Sequence, residues 1–152
     1  MQEVEFVSEL YILLLIGVTE KSQLVINRIY SDYDTHFQER DVIEKRLNWL
    51  LETLNELYDD ELVNTNLSSR IMQYALVAAL YDIAYGLGNS LTGVKPKNRL
   101  AGLKLKLINL SNRLNNREKL PESVQDALIS RPGSKSNRAT LTGFVKNAID
   151  RP

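Results

Sequence analysis

Few side chains of this chain could do chemistry. Among 152 residues there is no cysteine and one histidine. Without thiols, a disulfide scaffold, a thiol nucleophile, an iron–sulfur site and a cysteine zinc site are excluded. A single imidazole excludes any centre built on two. His36 closes the run Asp32-Tyr33-Asp34-Thr35-His36, with carboxylates two and four residues before the ring. A metal would need those three groups to converge from a turn. The simpler expectation is a histidine near a helix end, where a cation suits the negative pole of the dipole. Asp59-Asp60-Glu61 are consecutive and cannot meet on one face as residues four apart would; they read as a solvated helix end. The glycines at 86, 88 and 93 lack the preceding strand and the following Lys-Ser/Thr of a phosphate loop, and neither G-x-S-x-G nor H-E-x-x-H occurs. No catalytic residue, metal ligand or cofactor is expected.

Charge order is more informative than any motif. The formal net charge is zero, yet residues 1–94 carry six Lys/Arg against fifteen Asp/Glu, and residues 95–152 carry thirteen against four. Such asymmetry points toward nucleic acid, DNA or RNA, or an acidic surface as partner of the basic part. The candidate nucleic-acid-binding residues are Lys95, Lys97 and Arg99 before one helix, and Arg131, Lys135 and Arg138 around the turn Pro132-Gly133-Ser134. Lys104, Lys106 and Arg113 lie along the helix between them. At the start of the last helix, backbone N–H groups and the positive dipole would join the guanidinium charges, with Ser134, Ser136 and Asn137, in a phosphate clamp. The competing expectation is that the two oppositely charged parts fold together and neutralise one another.

The elements that must position these residues are helical almost throughout, with few strand signals. Residues 3–18 are apolar nearly all round, which predicts a helix buried at the centre of a bundle. Thr19 is expected to cap a second helix carrying Leu24, Val25 and Ile29. Residues 38–58 follow, with Val42, Leu47, Leu50, Leu54 and Leu57 on one face. A linker to Asn66 leads to a helix over 69–87, capped by Ser68 or Ser69, rich in alanine and ended by Gly86 and Gly88. Residues 89–98 read as a loop. Another helix is expected from about Arg99 to Asn116, a short one from Leu120-Pro121, and a last one capped by Ser136 or Asn137. Leu141, Phe144, Val145, Ala148 and Ile149 form its i, i+3, i+4, i+7, i+8 stripe. The expected architecture is a single all-α domain, residues 1–152, of six or seven helices, with 3–18 and 69–87 central. Tyr11 to Val18 is too short to span a bilayer, and Glu3, Glu5 and Glu9 stand where a signal peptide needs positive charge. A cytoplasmic protein with no membrane contact is expected.

Several segments resemble one bacterial family. Glu5-Phe6-Val7-Ser8-Glu9-Leu10, an apolar helix, Gly17, then Lys21 to Tyr30-Ser31-Asp32-Tyr33 are similar to a stretch of the large GmrSD/DGQQR-type restriction and phage-defence proteins. In these a ParB/sulfiredoxin-like catalytic domain precedes a helical one. Arg70-Ile71-Met72-Gln73-Tyr74-Ala75-Leu76 and Ser136-Asn137-Arg138-Ala139-Thr140 resemble later segments of that helical region. The Asp-Gly-Gln-Gln-Arg motif and the His-Asn-His-type nuclease motif are both missing, so no catalytic residue carries over. The resemblance implies the non-catalytic helical part of a protein that restricts foreign DNA, with nucleic acid or a catalytic domain as partner.

Two other readings stand beside it. One is a protein-interaction or homodimerisation module that leaves apolar surface of the first helix or Trp49 for a partner. The other is a small helical ribonuclease of the HEPN class, which needs an Arg four to six residues before a His. Here Arg28 precedes His36 by eight and no Arg lies between, which disfavours it.

Overall fold

Helix α5 (Arg70–Ala84) carries the core: eleven of its fifteen residues are buried. Ala75, Ala78, Ala79 and Ala84 keep that surface thin, so neighbouring helices approach closely. The computed structural model describes residues 2–91, 95–96 and 102–150. Around α5 stand α1 (Gln2–Ile16), α2 (Gln23–Tyr33), α3 (Arg40–Leu57), α4 (Asp60–Val63), α6 (Leu103–Asn115), α7 (Glu122–Ile129) and α8 (Lys135–Asp150). Two 3-10 turns lie at Asn66–Ser68 and Arg117–Lys119. The protein is all-α; among the described residues there is no strand, and no helix is long and apolar enough to cross a membrane.

The most extensive packing is α8 on α5, and α6 and α7 also lie against α8. Helix α1 packs on α2, α3 and α5. One apolar cluster runs through these layers, from Leu13, Ile43 and Leu50 through Leu76 and Leu80 to Leu107, Leu141 and Val145. Each fully buried aliphatic side chain of this kind contributes roughly 1.5–3 kcal/mol.

Several local expectations change. Helix α1 is not enclosed: Leu10, Ile12, Leu13 and Leu14 are buried, but Val4, Val7 and Ile16 are exposed. Helix α1 packs on α5 as expected, and the most extensive pair is α5 with α8. Helix α2 starts at Gln23 with Ser22 in the N-cap position, not at Thr19, because Gly17 at φ +85° ends α1 and the Lys21 amide bonds the Gly133 carbonyl at 2.7 Å. That long-range bond pins the segment between the two helices, and Ser22 at its end is extended. The expected linker after Tyr58 contains the four-residue α4, capped by the Asp59 carboxylate accepting from the Glu61 amide at 3.2 Å. Ser69 precedes α5, but its hydroxyl donates to the Asn66 carbonyl at 2.9 Å instead of capping. Gly86, at φ +85°, ends α5 as expected; a Cβ there would collide with the Asn89 side chain. Helix α8 begins before Ser136 and Asn137: the Ser134 hydroxyl accepts from the Asn137 amide at 3.3 Å and is the actual cap.

Candidate functional site

The turn before α8 is where the sequence places its phosphate clamp. Arg131 and Lys135 are both exposed there, and no ion pair engages either among the described residues. Arg131 adopts φ +44°, a left-handed value that is uncommon for a residue with a Cβ. The Lys21–Gly133 bond brings a cation of the acidic half to the same turn. Lys21 also faces Glu5, at 3.4 Å, as does Arg70 at 4.0 Å.

Arg138 does not belong to that surface. It is 6% exposed, and its guanidinium donates to the Glu9 carboxylate, itself 5% exposed. Its other terminal nitrogen reaches the Thr19 carbonyl at 3.3 Å. The guanidinium lies 4.1 Å above the centre of the Tyr74 ring. The expectation that Arg138 reaches a phosphate is therefore corrected: the cation sits inside, compensated by a carboxylate, a carbonyl and a π face. Burial of a charge on this scale requires such a set of partners. Glu9 Oε1 meets no donor among the described residues.

The basic third is also less segregated than its sequence suggests. Lys104 pairs with Asp59 and, at 3.2 Å, with Glu61. Lys146 reaches Asp82 at 2.6 Å. Lys106 donates to the Ile149 carbonyl at 2.7 Å, and Arg113 covers the Phe144 ring at 4.9 Å. Through Lys104, Arg138 and Lys146, cations from residues 95–152 thus meet carboxylates from residues 1–94, so part of the charge asymmetry is neutralised by pairing within the chain, at the surface for Lys104 and in the interior for Arg138. Lys95 is exposed; Lys97 and Arg99 lie outside the described residues. The Lys104 contact holds the Asp59 carboxyl below its ordinary range and raises the Lys104 ammonium above its own.

Two features went unpredicted. Arg46 of α3 is 4% exposed, donates to the Tyr81 hydroxyl at 2.6 Å, and lies 4.5 Å over the Tyr85 ring. Its position between Ile43, Leu47 and Leu50 puts it on the apolar stripe of the helix, and that spacing is the one sequence signal in favour of its burial. The second is a cleft of about 520 Å³ between α1, α2 and the start of α3, where His36 and Arg40 stand near Tyr11, Tyr33 and Phe37. Arg28, by contrast, pairs with Asp32 at 3.7 Å and does not line the cleft. Among the described residues no three His, Asp or Glu side chains gather where a metal could be held.

The fold and these contacts define an all-α protein with a buried polar strut and an exposed basic turn. No family model, no curated protein and no solved structure matches the chain.

Proposed function

We propose that this chain is the non-catalytic helical accessory domain of a restriction-type defence protein, and that it contacts nucleic-acid phosphates through Arg131 and Lys135. The observation that carries the surface is their exposure at the start of α8 while Lys104, Arg138 and Lys146 are paired with carboxylates of the same chain. An exposed turn with two cations, a serine cap and a helix N-terminus suits a phosphate oxygen.

The domain assignment draws support from where the resemblance segments lie. Glu9 from the first, Tyr74 from the Arg70–Leu76 segment and Arg138 from the last meet in one buried cluster. Ser8 and Tyr30, from the two halves of the opening match, share a hydroxyl–hydroxyl bond of 2.9 Å. The quoted residues thus serve as struts of one helical frame. The bacterial restriction setting itself rests on the sequence resemblance.

The test is fluorescence anisotropy with labelled duplex DNA, single-stranded DNA and RNA across a salt series. Substituting both Arg131 and Lys135 by Ala should weaken binding and reduce the slope of log K against log salt by about 1 for each phosphate no longer engaged. Unchanged affinity and slope, or no binding by the native chain at low salt, would sink the phosphate reading. A second reading, a protein-docking module, has its own observation. Phe6, Leu51, Leu54, Tyr58, Leu76 and Val77 line an apolar groove of about 380 Å³, and Val4 and Val7 are exposed on α1. Light scattering that finds a dimer, with no nucleic-acid binding, selects this reading.

A further inference from the structure

The cleft between α1, α2 and α3 shares no residue with the basic turn and has a chemistry of its own. Its volume of about 520 Å³ falls in the usual range of small-molecule sites. Ile12, Leu15 and Ile29 give it an apolar floor, and Tyr11, Tyr33 and Phe37 supply aromatic walls. The Tyr33 and Phe37 rings stand 4.8 Å apart between centroids and are inclined by 56°, so they form a wedge instead of a closed stack. The Ser8–Tyr30 hydroxyl pair adds a polar group to the lining.

The sign of the surrounding charge selects the ligand. Asp34 and Glu44 line the cleft against one guanidinium, Arg40, and Asp32 and Glu39 act on Tyr33 from beside it, Asp32 being paired with Arg28. Arg40 Nε is engaged by Glu44 at 2.8 Å, which offsets that cation locally. Asp34 lines the cleft, is exposed and has no ion pair among the described residues. Aromatic faces attract cations through their quadrupole, and a concentration of carboxylates raises the local density of positive ligands. An anion would meet the same carboxylates unfavourably.

We propose that this cleft binds a small organic cation, a quaternary or protonated amine carried on an apolar body. The body rests on Ile12, Leu15 and Ile29, the cationic head lies against the Tyr33–Phe37 wedge, and Asp34 supplies the counter-charge. The acidic excess of the first 94 residues thus has a local use that the basic turn does not share.

The test is titration of the full chain with phenyltrimethylammonium, followed by backbone amide shifts in ¹H–¹⁵N spectra. Two control probes keep the shape but change the charge: tert-butylbenzene, which is neutral, and benzenesulfonate, which is anionic. The proposal expects saturable shifts concentrated in α1, α2 and the start of α3, with tert-butylbenzene binding about tenfold more weakly and benzenesulfonate more weakly still. Asp34→Asn and Phe37→Leu should each weaken the cation by a few-fold at unchanged melting temperature. Asp34 is exposed, so its variant carries the test if Phe37→Leu fails to fold. Equal binding of the neutral or anionic probe, dispersed shifts, or full affinity in Asp34→Asn would overturn the proposal.

Discussion

Arg138 of α8 and Glu9 of α1 form an ion pair buried at both ends, across 129 positions of sequence. The pair joins the last helix to the first beside the Tyr74 ring of α5. Removing one partner strands the other charge inside. Glu9→Leu and Arg138→Met should each destabilise the protein by about 3–5 kcal/mol, whereas the two together should recover much of that loss. Urea denaturation of the three variants measures it; additive losses in the double variant would show that the charges do not depend on one another.

The Tyr58 hydroxyl donates to the Leu67 carbonyl at 2.9 Å, and burial pushes its ionisation from 10.0 up to about 12. Burial also raises Tyr74 and Tyr85. For a group whose value is raised in the fold, stability is fully present below the unfolded value and declines as pH rises toward the folded one. Thermal stability should therefore hold up to about pH 10 and fall between about 10 and 12, and Tyr58→Phe should flatten part of that fall. The same variant should lose about 1 kcal/mol at neutral pH through the missing hydrogen bond. Melting curves from pH 7 upward check both.

Lys104 bridges Asp59 and Glu61 in solvent. Asp59 is lowered, so its contribution is present above its ordinary 3.8 and is lost as pH falls through the depressed value. Lys104→Met should cost little at low salt and nothing measurable at about 1 M salt, where screening acts within about 3 Å. A loss that persists in high salt would mean that the Lys104 stem, not its charge, supports α6.

Ser134 caps α8 through the Asn137 amide. Ser134→Ala should destabilise by about 1 kcal/mol and Ser134→Asp should preserve the fold, whereas Ser136→Ala should be nearly silent. Denaturant midpoints of the three variants decide whether the cap lies before or inside the helix.

How much of this was legible depended on range. The period of Met72, Ala75, Ala79 and Ile83, and that of Leu141, Val145 and Ile149, gave α5 and α8 directly. Helix α4 escaped because four residues are too few to display a period. The start of α2 differs from the local expectation because the Lys21–Gly133 bond that pins the segment before it comes from the far end of the chain. The buried charges failed differently. Glu9 precedes Leu13 by four, Arg46 follows Ile43 by three, and Arg138 precedes Leu141 by three. Each stands on an apolar stripe, so position argued for burial while residue type argued against it. Only a partner in space could decide, and the partner of Arg138 lies on α1. The cleft was equally hidden, since Tyr11 and Tyr33 belong to helices whose crossing no local pattern specifies.

Synthesis proceeds from α1 toward α8, so the Glu9 carboxylate leaves the ribosome long before Arg138 does. Until α8 emerges, α1 lacks the counter-charge and α5 the apolar cover that α8 supplies. Nascent chains of this protein should therefore stay protease-sensitive until α8 has emerged, then lock in a single late event.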